Sequence, residues 1–352
     1  MKLHLRSFNW KLWLGLLLSA LFIYLAFRKV DLARLWTLTK SADPLLIFLV
    51  ILTTIFQYVV RAWRWGLLLE PIQKTGFLNR LTTTFIGFAA NCVLPARLGE
   101  FIRANYLGHT EEISGSSAFG TIVVERLFDG FTLLVVLLIG LMGTTFPEQW
   151  QSLGGSLKAA GWLLLLLYLG LIIFLAGFKY RAAMFLTIFE RLIFFVPERY
   201  RKRIIEMLWN FSLGLVLVKT PSRWFLVIFF SFLVWFTNLY QIHWMVRSVG
   251  LSVPFIASFL VMAMASLGVM IPSAPGYVGT FHLSVQYGLL LYGLGREEAL
   301  SVAILWHAAL FLTTLLIGFV AFIYVQITYG RPSEVQTALP NPALPATDKP
   351  TH

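Results

Sequence analysis

Charge is scarce in this sequence. Of its 352 residues, 12% are Asp, Glu, Lys or Arg, where a soluble domain carries about 25%. That leaves too little polar surface to coat a water-soluble globule. Cysteine is nearly absent as well. The single Cys92 rules out an internal disulfide and a cysteine-based metal site. Catalytic motifs are missing too: there is no metal-ligand spacing, no glycine-rich nucleotide loop and no nucleophile elbow. The expectation is a protein that is not an enzyme and takes no cofactor or metal.

What the sequence does hold is apolar length. It is 58% hydrophobic, with a mean hydropathy of +0.78, and its apolar residues gather in runs long enough to cross hydrocarbon. Spans are predicted at 10–27, 44–61, 127–146, 159–178, 224–246 and 299–327. Two more apolar regions, 77–116 and 254–294, are interrupted by Pro, Gly and charge. The fold class is therefore an all-α polytopic membrane protein with about six full spans plus two broken or re-entrant helix pairs. Residues 1–329 form the membrane domain. Residues 330–352, with five prolines, read as a disordered cytoplasmic tail.

The formal charge of +12 would suggest nucleic acid in a soluble protein. Here the basic residues sit between apolar runs, where they fix topology and meet anionic lipid, so membrane lipid is the expected partner and nucleic acid is not. Residues 179–223 carry nine Lys and Arg against three Glu, and the loop 147–158 carries one lysine and one glutamate. The first belongs in the cytoplasm and the second outside, which puts both termini inside an inner cell membrane. Arg28, Lys29, Arg34 and Lys40 run against that assignment. Within 198–218 the apolar positions Ile204, Ile205, Leu208, Phe211, Leu215 and Val218 share one helical face, a pattern suited to a helix lying on the leaflet.

An echo links the two interrupted regions. Val93-Leu94-Pro95-Ala96-Arg97-Leu98-Gly99 and Met270-Ile271-Pro272-Ser273-Ala274-Pro275-Gly276 both place an aliphatic residue before proline and glycine four positions after it. Each region lies between two spans, one approached from inside and the other from outside, as in an inverted-topology repeat. A helix starting near Gly99 would aim unpaired N–H groups into a cavity. Arg97 and Arg103 beside it would complete a cradle for an anionic headgroup.

Charges at bilayer depth pair, line a pathway or carry function. Glu100 lies between those arginines, and Glu125, Arg126 and Asp129 open the next span. At the second break, Pro272, Pro275 and Gly276 make a flexible turn, and His282 offers a group that titrates near neutral pH. Arg61, Trp63, Arg64 and Trp65 read as an interfacial anchor. His243 and His307 read as packing residues.

The stretches Arg61-Ala62-Trp63-Arg64-Trp65, Leu94-Pro95-Ala96-Arg97-Leu98-Gly99-Glu100 with Arg103, Glu125-Arg126 with Asp129, and Pro272-Ser273-Ala274-Pro275-Gly276 with Gly279 resemble the flippase-like family defined by the transmembrane region of lysylphosphatidylglycerol synthase. The likeness covers roughly residues 10–328. It implies a lipid-binding or lipid-translocating module, without the aminoacyl-transferase domain that full-length synthases add. It also implies a charged-headgroup phospho- or glycolipid as substrate, and a second copy or a lipid-synthesis enzyme as protein partner. The alternative is an integral enzyme or accessory subunit of lipid-linked glycan or terpenoid-lipid synthesis. The sequence departs from the family at His282, where a glutamate is common.

Overall fold

The computed structural model describes residues 10–94, 97–145, 151–195, 197–214, 220–271 and 275–330. Pro95, Pro272 and the tail beyond Gly330 lie outside them. Among the described residues the chain is helical, without strands. Helix α1 (Trp10–Phe27) and the short α2 (Leu32–Lys40) lead into α3 (Pro44–Leu69). Asp31 caps α2 by accepting from Ala33 and Arg34, and Asp43 caps α3 by accepting from Leu45, with Pro44 between them having no N–H to satisfy.

The first interrupted region is a helical hairpin, α4 (Phe77–Val93) and α5 (Gly99–Glu111). Glu111 at its far end accepts from the Gly76 N–H and the Asn79 amide, both at 2.8 Å. The hairpin therefore returns to the end it started from. At about 1.5 Å per residue neither arm spans a hydrocarbon core of about 30 Å. The region is re-entrant. Helix α6 (Gly115–Gly143) follows, then α7 (Gln151–Tyr180), α8 (Ala182–Leu192) and α9 (Glu198–Gly214).

The second half repeats the pattern with α10 (Pro221–Ser248), α11 (Ile256–Met270), a short turn Pro275–Tyr277, α12 (Thr280–Leu290) and α13 (Arg296–Tyr329). This hairpin also returns to its starting end. Ile256 lies against Gly143, and Tyr292, just past α12, shares a hydrogen bond with Thr144. Helices α3, α10 and α13, together with residues 154–174 of α7, have the length and composition of membrane spans.

Hydrogen bonds fix the relation between the halves. The Asp43 N–H donates to the Ser248 carbonyl at 2.7 Å, Gln57 to Val234 at 3.0 Å, and Arg223 to Glu70 at 2.6 Å. Helices α3 and α10 thus run antiparallel along their whole length. Gly318 of α13 packs on Phe85 and Ala89 of α4, and Gly140 of α6 packs on Phe259 and Leu260 of α11. Exchanging α3 with α10, α4 with α11, α5 with α12 and α6 with α13 carries each contact onto its counterpart. The inverted repeat expected from the Pro-to-Gly echo is present as this antiparallel exchange.

The echo itself is only half equivalent. Helices α4 and α11 both end two residues before their prolines, but Gly99 opens α5 whereas Gly276 sits inside the turn with φ of 79°. The second break is four residues longer, so the counterpart of Gly99 is Thr280. Helix α9, whose apolar face suggested a helix on the leaflet, packs along α6 and α8, with Arg201 paired to Glu190 at 3.7 Å; Leu215 and Val218 of that face lie outside the described residues.

Candidate functional site

One end of the first half holds a dense cluster of charge. Helix α3 brings Arg61 and Arg64, α5 brings Glu100 and Arg103, and α6 brings Glu125, Arg126 and Asp129. Spacings of three or four residues put each helix's contribution on one face. Arg103 grips Glu125 with both terminal nitrogens, at 2.9 and 3.1 Å. Arg64 bridges the two acids, at 2.7 Å to Asp129 Oδ1 and 3.4 Å to Glu125 Oε1, and also donates to Ser231 of α10 at 2.8 Å. Arg61 reaches Asp129 Oδ2 at 3.1 Å. Arg126 touches all three acids: Glu125 at 2.8 Å, Asp129 at 3.2 Å and Glu100 at 3.5 Å.

Aromatic rings wall this network. The Arg103 guanidinium lies 3.8 Å above the Trp65 ring, and the indole N–H of Trp65 donates to Thr121. Arg61 and Arg126 both lie over Phe88, at 5.2 and 5.5 Å. Arg64, Arg103 and Glu125 are wholly buried, and Arg61 and Asp129 nearly so. Access is through Arg126, whose side chain is 30% exposed, and beside it Glu100 at 13%. Glu125 and Asp129, stacked one turn apart, tolerate each other because Arg64 and Arg126 sit between them.

The cluster differs from the cradle expected at Gly99. Arg103 turns away from the break into Glu125. The Gly99 N–H donates to the Asn91 side-chain carbonyl at 2.8 Å, so the helix end is capped from within, and Glu100 occupies the first turn. Arg97 is exposed at the break with φ of 54°. It makes no ion pair among the described residues, and its guanidinium meets the Tyr277 hydroxyl of the second break. The sequence reading placed Arg97, Glu100 and Arg103 together; the structure groups Glu100 and Arg103 with α6 and leaves Arg97 at the rim.

Sequence reasoning also missed Arg61 and Arg64. They are not interfacial anchors, because α3 continues to Leu69. That places Arg64 about 9 Å, six residues, inside the Glu70–Arg223 pair. Trp63, exposed, fits the anchor reading; buried Trp65 does not. The signal was there: two arginines three apart match two acids four apart.

The second break assembles a different surface. Pro275 and Gly276 lie in the turn, with Gly276 against Phe311 and close to the Cys92 carbonyl. His282 Nδ1 accepts from the Gly279 N–H at 3.3 Å, and its ring meets that of His307 at 4.7 Å. Pro272 lies outside the described residues. These groups stand apart from the arginine–carboxylate network, and Tyr277 among them meets Arg97.

The pseudo-symmetry allows a direct comparison of the two halves. Counted from the first residue of each helix, Arg61 and Arg64 correspond to Asn238 and Gln241, Glu125 and Arg126 to Trp306 and His307, and Arg103 to Ser284. The bond from Arg64 to Ser231 is mirrored by that from Gln241 to Thr54 at 3.2 Å. The contact of Arg64 with Glu125 is mirrored by the 3.4 Å bond from Trp306 to Gln241. The second half thus repeats these two contacts at the opposite end of the bundle, without an ion pair at these positions among the described residues.

An all-α membrane bundle of two antiparallel halves, each with a re-entrant hairpin, and a buried arginine–carboxylate network define the class of this protein. It belongs to the family described as the lysylphosphatidylglycerol synthase TM region, which it matches over residues 12–318. It is 22% identical over 323 residues to a UPF0104 membrane protein of Methanocaldococcus jannaschii, covering 88% of this chain and 94% of that one. A UPF0104 membrane protein of Pyrococcus horikoshii is 25% identical over 281 residues, 76% of this chain and 82% of the relative. Glycosyltransferase AglD of Haloferax volcanii is 32% identical over 136 residues, 37% of this chain but only 22% of AglD.

Proposed function

We infer that this protein moves a lipid with a charged headgroup between leaflets of the cell membrane and performs no chemistry on it. The observation that carries this reading is the contrast between the halves. Buried ions cost several kcal/mol each in desolvation, and well-packed neutral groups often serve stability as well or better. Asn238, Gln241, Ser284 and Trp306 show that this architecture closes without charge at the same positions. The fold does not need Arg61, Arg64, Arg103 and Glu125, so their retention at depth points to function.

In this reading the arginines outnumber the acids, and Arg126 with Glu100 and Arg97 forms the accessible lip. Arg126 and Arg97 hold the negative part of a phospho- or glycolipid headgroup, and Glu100 takes a donor from it. The network lies at the Lys- and Arg-rich end, which we assign to the cytoplasm together with both termini.

The test is movement of fluorescent phosphatidylglycerol in proteoliposomes. Arg126→Ala is expected to slow it roughly tenfold or more, the scale of a lost charge-assisted hydrogen bond. Arg126→Lys, which keeps charge without the planar fork, should fall between. Folded Arg126→Ala moving lipid at the wild-type rate would sink the assignment. A second reading, an enzyme or accessory subunit of lipid-linked glycan synthesis, is favoured by the similarity to AglD. It predicts a headgroup whose mass changes during incubation.

A further inference from the structure

Helix α7 is the least anchored of the long apolar helices. Over its spanning window 6% is buried, against 39%, 50% and 33% for α3, α10 and α13. Its packing in the bundle is against α6, with α8 and α9 near its end. Trp162, Leu163, Leu166, Leu167, Ile173 and Phe174 all face outward. Yet it carries one polar group aimed at the backbone of α6. The Tyr168 hydroxyl donates toward the carbonyls of Leu127 and Arg126, at 3.0 and 3.2 Å.

The seat for that hydroxyl is Gly130, where a side-chain Cβ would fall on the Tyr168 oxygen. Both carbonyls belong to the turn of α6 that carries Arg126 and Asp129. The latch therefore closes on the stretch of backbone that presents the exposed edge of the network. Farther along, Gly161 of α7 seats against Leu138 and Leu141 in a contact of apolar groups alone.

We propose that the seam between α6 and α7 is a lateral port through which a lipid headgroup reaches the Arg126 edge of the network, and that Tyr168 is the residue that holds it shut. This rests on the reading of the chain as a lipid mover. A polar latch suits the task because hydrocarbon offers the released Tyr168 hydroxyl no partner, while the carbonyls keep their helical N–H bonds, so the closed state is well defined in lipid. An arriving headgroup, rich in hydroxyl or phosphate oxygens, supplies new partners and lowers the cost of opening. Tyr168 acts through the position of α7, not by touching the acids itself.

Two measurements test the port separately from the transport reading. Leu138→Cys with Gly161→Cys puts a thiol on each side of the seam, where a Cβ at position 161 would lie 4.0 Å from the Leu138 Cγ, so that oxidation can tie the two helices together. The oxidised protein should move fluorescent phosphatidylglycerol in phosphatidylglycerol vesicles at least tenfold more slowly than the reduced protein, and equal rates overturn the port. Independently of transport, Leu138→Cys alone is labelled with a membrane-soluble maleimide, and Cys92 in the same digest serves as the internal reference. Adding Tyr168→Phe should accelerate Leu138→Cys labelling about fivefold, the scale of one net hydrogen bond. Unchanged labelling overturns the latch. Accelerated labelling in a protein that moves no lipid supports the latch and overturns the transport reading alone.

Discussion

Glu125→Ala is expected to remove most of the folded protein. Glu125 is wholly buried and receives Arg103 through both terminal nitrogens, Arg126 at 2.8 Å and Arg64 at 3.4 Å. Its loss leaves Arg103 with no acid, held only by the Trp65 face, and leaves Asp129, with Glu100 at the edge on Arg126, to balance three other guanidinium groups. Stranding a buried charge in this way costs about 3–5 kcal/mol, a large part of the stability of a typical domain. Glu125→Gln should be nearly as damaging, since the shape survives but the charge does not. The decisive variant adds Arg103→Met. With both ions gone and the stem of Met laid against Trp65, folding should return in large part, while lipid movement should not. The readouts are monodisperse yield and melting temperature in detergent, then transport of whatever folds. Restored folding with restored transport would make the pair structural and remove Glu125 and Arg103 from the functional site.

The second large effect is expected at Gly99. Alanine there should favour the helix by up to about 1 kcal/mol on propensity alone. Packing decides the other way. A Cβ on Gly99 would fall on the Gly87 carbonyl and close to the Asn91 side chain, and backbone cannot step aside as a side chain can. Overpacking of this kind costs about 1–3 kcal/mol, so Gly99→Ala should lower the melting temperature despite its better propensity. It should also push α5 off α4, drawing Arg103 back from Glu125. The comparison variant is Gly268→Ala, where the Ser284 hydroxyl can rotate away while the Ser284 Cβ at 2.9 Å and the Thr280 carbonyl at 3.0 Å remain, a milder clash than the approach to the Gly87 carbonyl at Gly99. Its effect should be clearly smaller, and a ranking of Gly268→Ala as the worse variant would show that the hairpin contacts are misjudged.

Much of this protein follows from local signals. The shortage of charge and the length of the apolar runs place it in the membrane. Proline and glycine inside two of those runs mark where helices stop, and the ends of α4 at Val93 and α11 at Met270 agree with that reading. The spacing of Glu125 and Asp129 puts both acids on one helical face, and the structure keeps them there. These are properties of a few consecutive residues, because backbone hydrogen bonding and the helical period act within a turn or two.

Which face meets which helix is another matter, and only the tertiary structure decided it. Arg61 and Arg64 look like anchors until α3 is seen to pass between α6 and α10. Arg103 looks like a companion of Arg97 until the tight crossing at Gly87 and Gly99 turns its side chain toward Glu125. The correspondence of Arg64 with Gln241, or of Glu125 with Trp306, is invisible in residue identities and appears only when two antiparallel halves are compared helix by helix. The physical reason is that an ion or a small residue does not name its partner. Contacts between distant segments are selected by how closely backbones approach and by what each buried charge finds when they do, and both are set by the assembled bundle.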